Sequence, residues 1–429
     1  MKEKDVKRIE KELDRIMNKF DNEEFISQDF ENYSKIIKQS YYKNQRLHRK
    51  RRECEVIGCK KKTIKKSHSI PKTSILQNIS SNGHLLKPEF YINNSPPTNK
   101  MVKVGIHNAS VFPGFCEKHE NIFKSFEIDG KINNDQKAIL QTYRTICRER
   151  VFREIELEIN EIAKTEYKKK INNDALKCIN EVLSKYPQFN KIEEIDINGV
   201  DSVINSLNKL NSYLSEPIQQ FKEFEENIFS WLLNLSYKND LIVRVTNIDL
   251  HLPVSICGFG SQEYIEKSER KEAYVLLNVM PQKNSTDIVC VGLKQDQTIV
   301  EKYFDFFLAD PLNILNMIES FMVNGTDQWY INPDFWKTIP RPKQEKILYD
   351  ILFTEDSFLD EYPVSIFDNI RRDIISVLKE NISKRGYGIT KIEKKRINYE
   401  MNKLEKTNFE MIKDEKVLID KLYDKLKKH

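Results

Sequence analysis

Apolar and polar positions divide the chain into stretches of different period. From residue 2 to 51, apolar side chains recur three and four apart at Val6, Ile9, Leu13, Ile16, Met17 and Phe20, which predicts amphipathic helix. The period is lost from Arg52 to about Asp129, where Pro88, Pro96, Pro97, Pro113 and the run Asn93-Asn94-Ser95 predict loops and short strands. Helical spacing returns from about Asn133 to Lys238, through Ile139, Leu140, Tyr143, Cys147, Val151, Ile155, Ile159 and Ile162, and predicts a bundle or arm. Beyond Asn239, β-branched runs at 241–249, 273–279 and 287–293 are bounded by turn residues such as those from Pro281 to Ser285. They predict a small sheet. Helical segments follow near 300–324 and 341–352, and the Lys-Glu alternation from Ile370 to His429 reads as a solvated helical tail.

The predicted class is therefore α+β, predominantly helical. The segments are an N-terminal helical segment (1–51), a motif-bearing module (52–130), a helical domain (131–238), an α+β domain (239–369) and C-terminal charged helices (370–429). Hydrophobic residues at 39% and charged residues at 31% fit a globular chain that can bury real cores, and 12 Gly with 14 Pro leave little room for long disordered linkers. The start Met1-Lys2-Glu3-Lys4-Asp5 and the absence of any run of about 20 apolar residues predict a cytoplasmic protein with no membrane partner.

Charge changes the picture more than composition does. The net charge is only +5, yet residues 43–72 alone carry +10, which leaves −5 for the rest. A collar of Arg49, Lys50, Arg51, Arg52, Lys60, Lys61 and Lys62 is suited to hold a phosphate backbone, so nucleic acid is the expected partner.

Inside that basic stretch lies the chemistry. Cys54-x4-Cys59 and Cys116-x2-His119 can together supply the four ligands that tetrahedral Zn²⁺ prefers. Gly58 lets the chain reverse so that a knuckle presents both sulfurs, while Pro113-Gly114 leads into a helix start that carries Cys116 and His119 on one face. The remaining cysteines, Cys147, Cys178, Cys257 and Cys290, read as reduced thiols in apolar surroundings. His68, in Ser67-His68-Ser69-Ile70-Pro71, is left free for chemistry.

These motifs resemble the HNH or ββα-metal treble-clef endonucleases over about residues 50–125. The resemblance implies an N-terminal zinc treble clef that hydrolyses phosphodiester bonds of DNA or RNA. His68 would match the general base, Asn108 the asparagine that orients it, and Glu120 or Asn121 the position that helps bind a catalytic Mg²⁺ or Mn²⁺. Ser67 stands where the family often has a metal-binding acid or histidine, and some 36 residues are inserted between Pro71 and Asn108, with His84 and His107 among them.

Ser67-His-Ser-Ile, Phe112-Pro-Gly-Phe-Cys-Glu-Lys-His119, Tyr143-Arg-Thr-Ile-Cys-Arg-Glu149 and Asn332-Pro-Asp-Phe-Trp336 further resemble an uncharacterised bacterial protein family, which brings bacterial defence into view. A second reading is a noncatalytic zinc module that binds nucleic acid or a partner protein, with the C-terminal region as sensor or scaffold. Other enzyme classes lack their signatures: there is no phosphate-binding Walker loop, Gly258-Phe-Gly260 lacks the third glycine of a dinucleotide site, and no Gly-x-Ser-x-Gly elbow occurs. Asp327-Gln-Trp-Tyr-Ile-Asn-Pro333, with Trp336, reads as an aromatic core cluster ending in a turn.

Overall fold

The computed structural model describes residues 3–21, 30–91, 98–128, 130–197, 202–234, 240–266, 268–353, 361–385 and 388–405. The fold is mixed helix and sheet, and the chain forms two compact units. One comprises residues 1–51 and 150–223, the other residues 52–149 and 224–429.

In the first unit, helices Glu3–Asp21 and Phe30–Asn44 accompany the later part of the long helix Asp135–Leu183 and the helix Ser202–Ser215. The spacing predicted by Ile9, Leu13, Ile16 and Met17 is used here: Ile9 packs with Ile179 and Leu183, with Leu13, Ile16 and Met17 beside them. The helix Asp135–Leu183 is unbroken and stops four residues before Pro187.

The second unit is built on a sheet larger than the predicted one. It starts with the two-residue strand β1 (Ser67–His68), followed by the hairpin β2 (His84–Tyr91) and β3 (Thr98–Gly105), and β4 (Val111–Phe112), which pairs with β1. Strands β5 (Leu241–Ile248), β6 (Val254–Glu266), β7 (Glu269–Pro281), β8 (Thr286–Leu293) and β9 (Trp329–Ile331) come later. Seven of them form one antiparallel sheet in the order β3-β2-β9-β6-β7-β8-β5. Residues 72–110 therefore leave the Cys/His segment, add two strands to a sheet whose others lie beyond residue 240, and return. The join is made at Leu86, opposite Ile331.

Both faces of this sheet are covered, which is why β7 and β8 read as nearly continuous apolar runs rather than alternating ones. On one face Ile256, Leu277, Cys290 and Trp329 pack with Phe304, Ile318 and Phe321 from the helices Gln297–Phe307 and Pro311–Ser320 and the turn that follows. At Gly292 the helix comes so close that a Cβ would lie 2.6 Å from Val300. The opposite face presents Cys257 and Asn278 to Gln141 of the long helix, whose amide lies 3.3 Å from each.

The C-terminal helices Asp368–Lys384 and Lys391–Glu405 are fastened to Pro311–Ser320 by a wholly buried charge network. Arg371 bonds Glu319 at 2.6 Å and also pairs with Glu400, Lys403 reaches Glu319 at 3.1 Å and Asn316 at 2.8 Å, and the backbone N–H groups of Ile366 and Phe367 donate to Glu319. The predicted solvated tail thus has a buried face, made of these polar groups and of the apolar Ile375, Ile382, Ile397 and Leu404, and its residues beyond 405 lie outside the described ones. No helix among the described residues is long and apolar enough to cross a membrane.

Removing one partner of a buried ion network strands the others without water, at a cost of about 3–5 kcal/mol. Arg371→Ala is expected to lower unfolding free energy by that amount in chemical denaturation, against less than about 0.5 kcal/mol for exposed Arg372→Ala. Glu319 is held below the usual carboxylate range by Arg371 and Lys403, which outweigh its burial. Its contribution is therefore present above the unfolded carboxylate pKa of about 4.3 and lost as pH falls through the lower folded value.

Candidate metal centre and active site

The Cys54-x4-Cys59 segment folds as a tight reversal. Cys54 N–H donates to the Lys61 carbonyl at 2.8 Å, Cys59 N–H donates to the Val56 carbonyl at 2.9 Å, and Gly58 supplies the left-handed position with φ of 79°. Val111 and Phe112 of β4 lead through Pro113 and Gly114 to Cys116, which stands at the N-terminus of the short helix Glu117–Glu120 and brings His119 to the same side. The two halves are stitched together by Glu55 N–H to the Gly114 carbonyl (3.0 Å), Ile64 N–H to the Phe115 carbonyl (2.7 Å) and Phe115 N–H to the Ser67 hydroxyl (3.1 Å). Beneath them Phe112, Phe115, Phe123, Phe126 and Tyr143 form a wholly buried aromatic core, with Phe115 and Phe123 centroids 4.8 Å apart.

The four predicted ligands meet at one point. Cys54 Sγ lies 3.3 Å from His119 Nδ1, Cys116 Sγ 3.6 Å from the same nitrogen and Cys59 Sγ 3.9 Å from Cys116 Sγ, and all four ligand atoms lie within 4.8 Å of one another. A tetrahedron with metal–sulfur bonds of about 2.3 Å and a metal–nitrogen bond of about 2.0 Å has edges of about 3.5 to 3.8 Å, so the set can hold a metal ion such as zinc. Burial drives the Cys54 thiol up to about 12 and lowers the His119 pKa. A bound cation would oppose the first effect, because it favours the thiolate.

His68 sits on β1, half-buried, and its Nδ1 lies 2.9 Å from the Ala109 carbonyl. A carbonyl only accepts, so Nδ1 carries the proton and Nε2 keeps its lone pair. Burial lowers the His68 pKa to about 4, aided by Lys72 and Arg144, so the imidazole is neutral at pH 7.

The Asn108 side chain bonds Lys66 rather than His68. It is exposed and its Oδ1 accepts from Lys66 Nζ at 2.8 Å, while the neighbouring backbone carbonyl of Ala109 takes the role that the resemblance gave Asn108. Glu120 faces inward, and its carboxylate lies 3.4 Å from Arg144 Nη2, which also bonds Glu127 at 2.8 Å. Burial nonetheless raises the Glu120 pKa, against the lowering effects of Arg144 and Ser67. Asn121 is exposed.

Among the described residues, the Cys/His set is the one group of three or more His, Cys, Asp or Glu side chains whose ligand atoms converge. His84 and His107 do not join it: His84 opens β2 and pairs with the Asn82 carbonyl at 2.7 Å, and His107 is exposed. The other cysteines are reduced thiols, buried at Cys147, Cys257 and Cys290 and half-buried at Cys178.

Arg144 is the residue that motif reading passed over. It is 0% exposed, with its guanidinium carbon 4.0 Å over the Phe123 ring, and it links Glu120 and Glu127 beside His68. The available signal was its place in the Tyr143 to Glu149 motif, but helical periodicity alone assigns an arginine to solvent.

The basic collar is divided. Arg49, Lys50 and Arg51 belong to the first unit, and Arg52, Lys60, Lys61 and Lys62 to the second. Lys60 pairs with Glu53 at 3.6 Å, and all three lysines of the knuckle are exposed.

The converging ligand set predicts about one equivalent of metal by elemental analysis of freshly purified protein. Cys116→Ala is expected to release it and to unfold the segment around residues 50–125, read as lost amide protection there. Full metal content in that variant would contradict the assignment.

Comparison with protein-family models, with curated proteins and with solved structures finds no match to this chain, so its function rests on this geometry.

Proposed function

We propose that residues 52–130 form an HNH-like, zinc-stabilised treble clef and that the protein hydrolyses phosphodiester bonds of nucleic acid, with His68 as general base. One observation carries the reading: the bond from His68 Nδ1 to the Ala109 carbonyl leaves Nε2 unprotonated on a neutral ring. Such a nitrogen can take the proton from a water that attacks phosphorus. The order of knuckle, strand with histidine, returning strand and helix with the last ligands supports the treble-clef assignment. Zinc is the metal favoured by three thiolates and an imidazole at tetrahedral spacing.

A Mg²⁺ or Mn²⁺ ion would supply charge stabilisation at the phosphate and leaving oxygen. Such ions are commonly held by one or two carboxylates plus the substrate's own phosphates, and Glu120 is the carboxylate available for it. Its Oε2 is buried without a protein partner. Lys60, Lys61 and Lys62, projecting from the knuckle, would hold the backbone on either side.

A second reading rests on a different observation. Ser67 Oγ accepts the Phe115 N–H, and Glu120 is paired with Arg144, which favours a noncatalytic module that only binds nucleic acid or a partner protein.

Under the nuclease reading, His68→Ala lowers metal-dependent cleavage by about 10²- to 10⁴-fold while zinc content stays that of the wild type. Because the pKa of His68 is lowered to about 4, its free-base form is complete above about pH 5. The base-dependent limb of the rate should therefore fall only as pH drops through about 4, rather than near the 6.5 of an ordinary imidazole. Wild-type, zinc-loaded protein that cleaves neither DNA nor RNA with Mg²⁺ or Mn²⁺ would select the noncatalytic reading.

Phosphate binding by the knuckle is checked separately. Charge reversal at Lys60, Lys61 and Lys62 should reduce the slope of log affinity against log salt by roughly 0.7 to 0.9 for each phosphate that is no longer neutralised. An unchanged slope would make the lysines a solvated surface.

A further inference from the structure

The histidine is tied through one loop to the middle of the large sheet. Its Nδ1 bonds the Ala109 carbonyl, and the next residue, Ser110, holds a left-handed backbone with φ of 56°. A serine seldom adopts that conformation, since its Cβ crowds the chain, and it persists where surrounding contacts impose it. Ser110 is buried and held on three sides. Its carbonyl accepts Ser69 N–H at 2.8 Å, its hydroxyl lies 3.3 Å from both the N–H and the carbonyl of Ile70, and its own N–H donates to the Tyr330 phenol oxygen at 2.7 Å.

The first two partners are local, from the residues that follow His68. The third comes from 220 residues further along. Tyr330 is the middle residue of β9. Its neighbours Trp329 and Ile331 enter the helix-covered core, so by the alternation of a strand Tyr330 belongs to the opposite face. β9 is itself pinned between β2 and β6, with Ile331 opposite both Leu86 and Val254. Burial raises the Tyr330 pKa, so its phenol stays un-ionised and neutral.

We propose that Tyr330 is a positioning residue for His68. By accepting the Ser110 N–H it keeps Ser110 left-handed, which aims the Ala109 carbonyl at Nδ1 and so selects the tautomer whose Nε2 is free. The Asp327 to Pro333 segment then belongs to the site as well as to the core, and whatever shifts β9 shifts the base. The inference deepens the assignment of His68 as general base and rests on it for its catalytic meaning, but the link itself can be read without any cleavage.

The test is long-range proton–nitrogen NMR of the imidazoles in the full chain at pH 7, with zinc content measured alongside. The wild type is expected to show His68 protonated at Nδ1. Tyr330→Phe keeps the ring and removes the acceptor, and it should shift the ratio of the two tautomers roughly tenfold toward Nε2–H, the equivalent of one buried hydrogen bond. Ser110→Gly removes the Cβ that makes the left-handed turn costly, so the double variant should move back toward the wild-type ratio.

An unchanged tautomer in a zinc-loaded Tyr330→Phe, or a wild type already protonated at Nε2, overturns the proposal. If Tyr330→Phe does not fold, hydrogen exchange at the Ser110 amide of the wild type decides instead. Protection like that of the sheet amides supports the link, and exchange at the rate of exposed loops refutes it. A tautomer that responds in a protein that never cleaves nucleic acid would leave the link standing while the nuclease reading fails.

Discussion

Four ligand atoms must meet at one point although 56 residues separate Cys59 from Cys116. That closure is the constraint from which the second unit is organised. The intervening chain cannot wander, because each end is held within a few ångströms of the other by the ligand set and by the backbone bonds from Glu55 to Gly114 and from Ile64 to Phe115. It leaves as β1, contributes β2 and β3 to the large sheet and returns as β4. A metal bound there would add its binding free energy to what the buried aromatic core under the ligands supplies.

The long helix connects this closure to the sheet. From Gln141 to Arg150 every residue is buried, although Gln141, Thr142, Arg144, Thr145, Arg148, Glu149 and Arg150 are polar or charged. The segment lies between the Cys/His segment and the sheet. Tyr143 OH donates to the Glu55 carbonyl at 3.3 Å and Arg144 reaches Glu120 and Glu127, while Gln141 bonds the Ser69 carbonyl at 2.9 Å and Thr145 donates to Asn278. Different faces of the segment thus touch the Cys54–Cys59 reversal, the residue that follows His68 and strand β7. Buried polar groups of this kind are costly unless paired, so they hold the three parts in one arrangement.

The ligand set was legible because thiols and an imidazole in such spacing have few other uses, and the helices of the first unit because their apolar positions recur at the helical period. The hairpin was not. His84–Tyr91 contains Pro88 and Thr98–Gly105 contains two lysines, and neither alternates cleanly; their pairing is decided by each other and by Ile331, far away in the chain. Asn108 carries the side chain that the resemblance calls for, whereas the group that meets His68 is the backbone carbonyl of Ala109, which no side-chain motif encodes. Arg144 and Arg371 escape for a related reason: a buried arginine is identified by its carboxylate partners, and these, Glu120 and Glu127 for one and Glu319 and Glu400 for the other, stand 17 to 52 residues away.

X-ray absorption at the edge of the metal that the purified protein carries examines the closure directly, independently of any activity. Three sulfurs at about 2.3 Å and one nitrogen at about 2.0 Å are expected in the metal's first shell. Protein without bound metal, or a shell made of oxygen and nitrogen alone, would contradict the convergence of Cys54, Cys59, Cys116 and His119 on one metal.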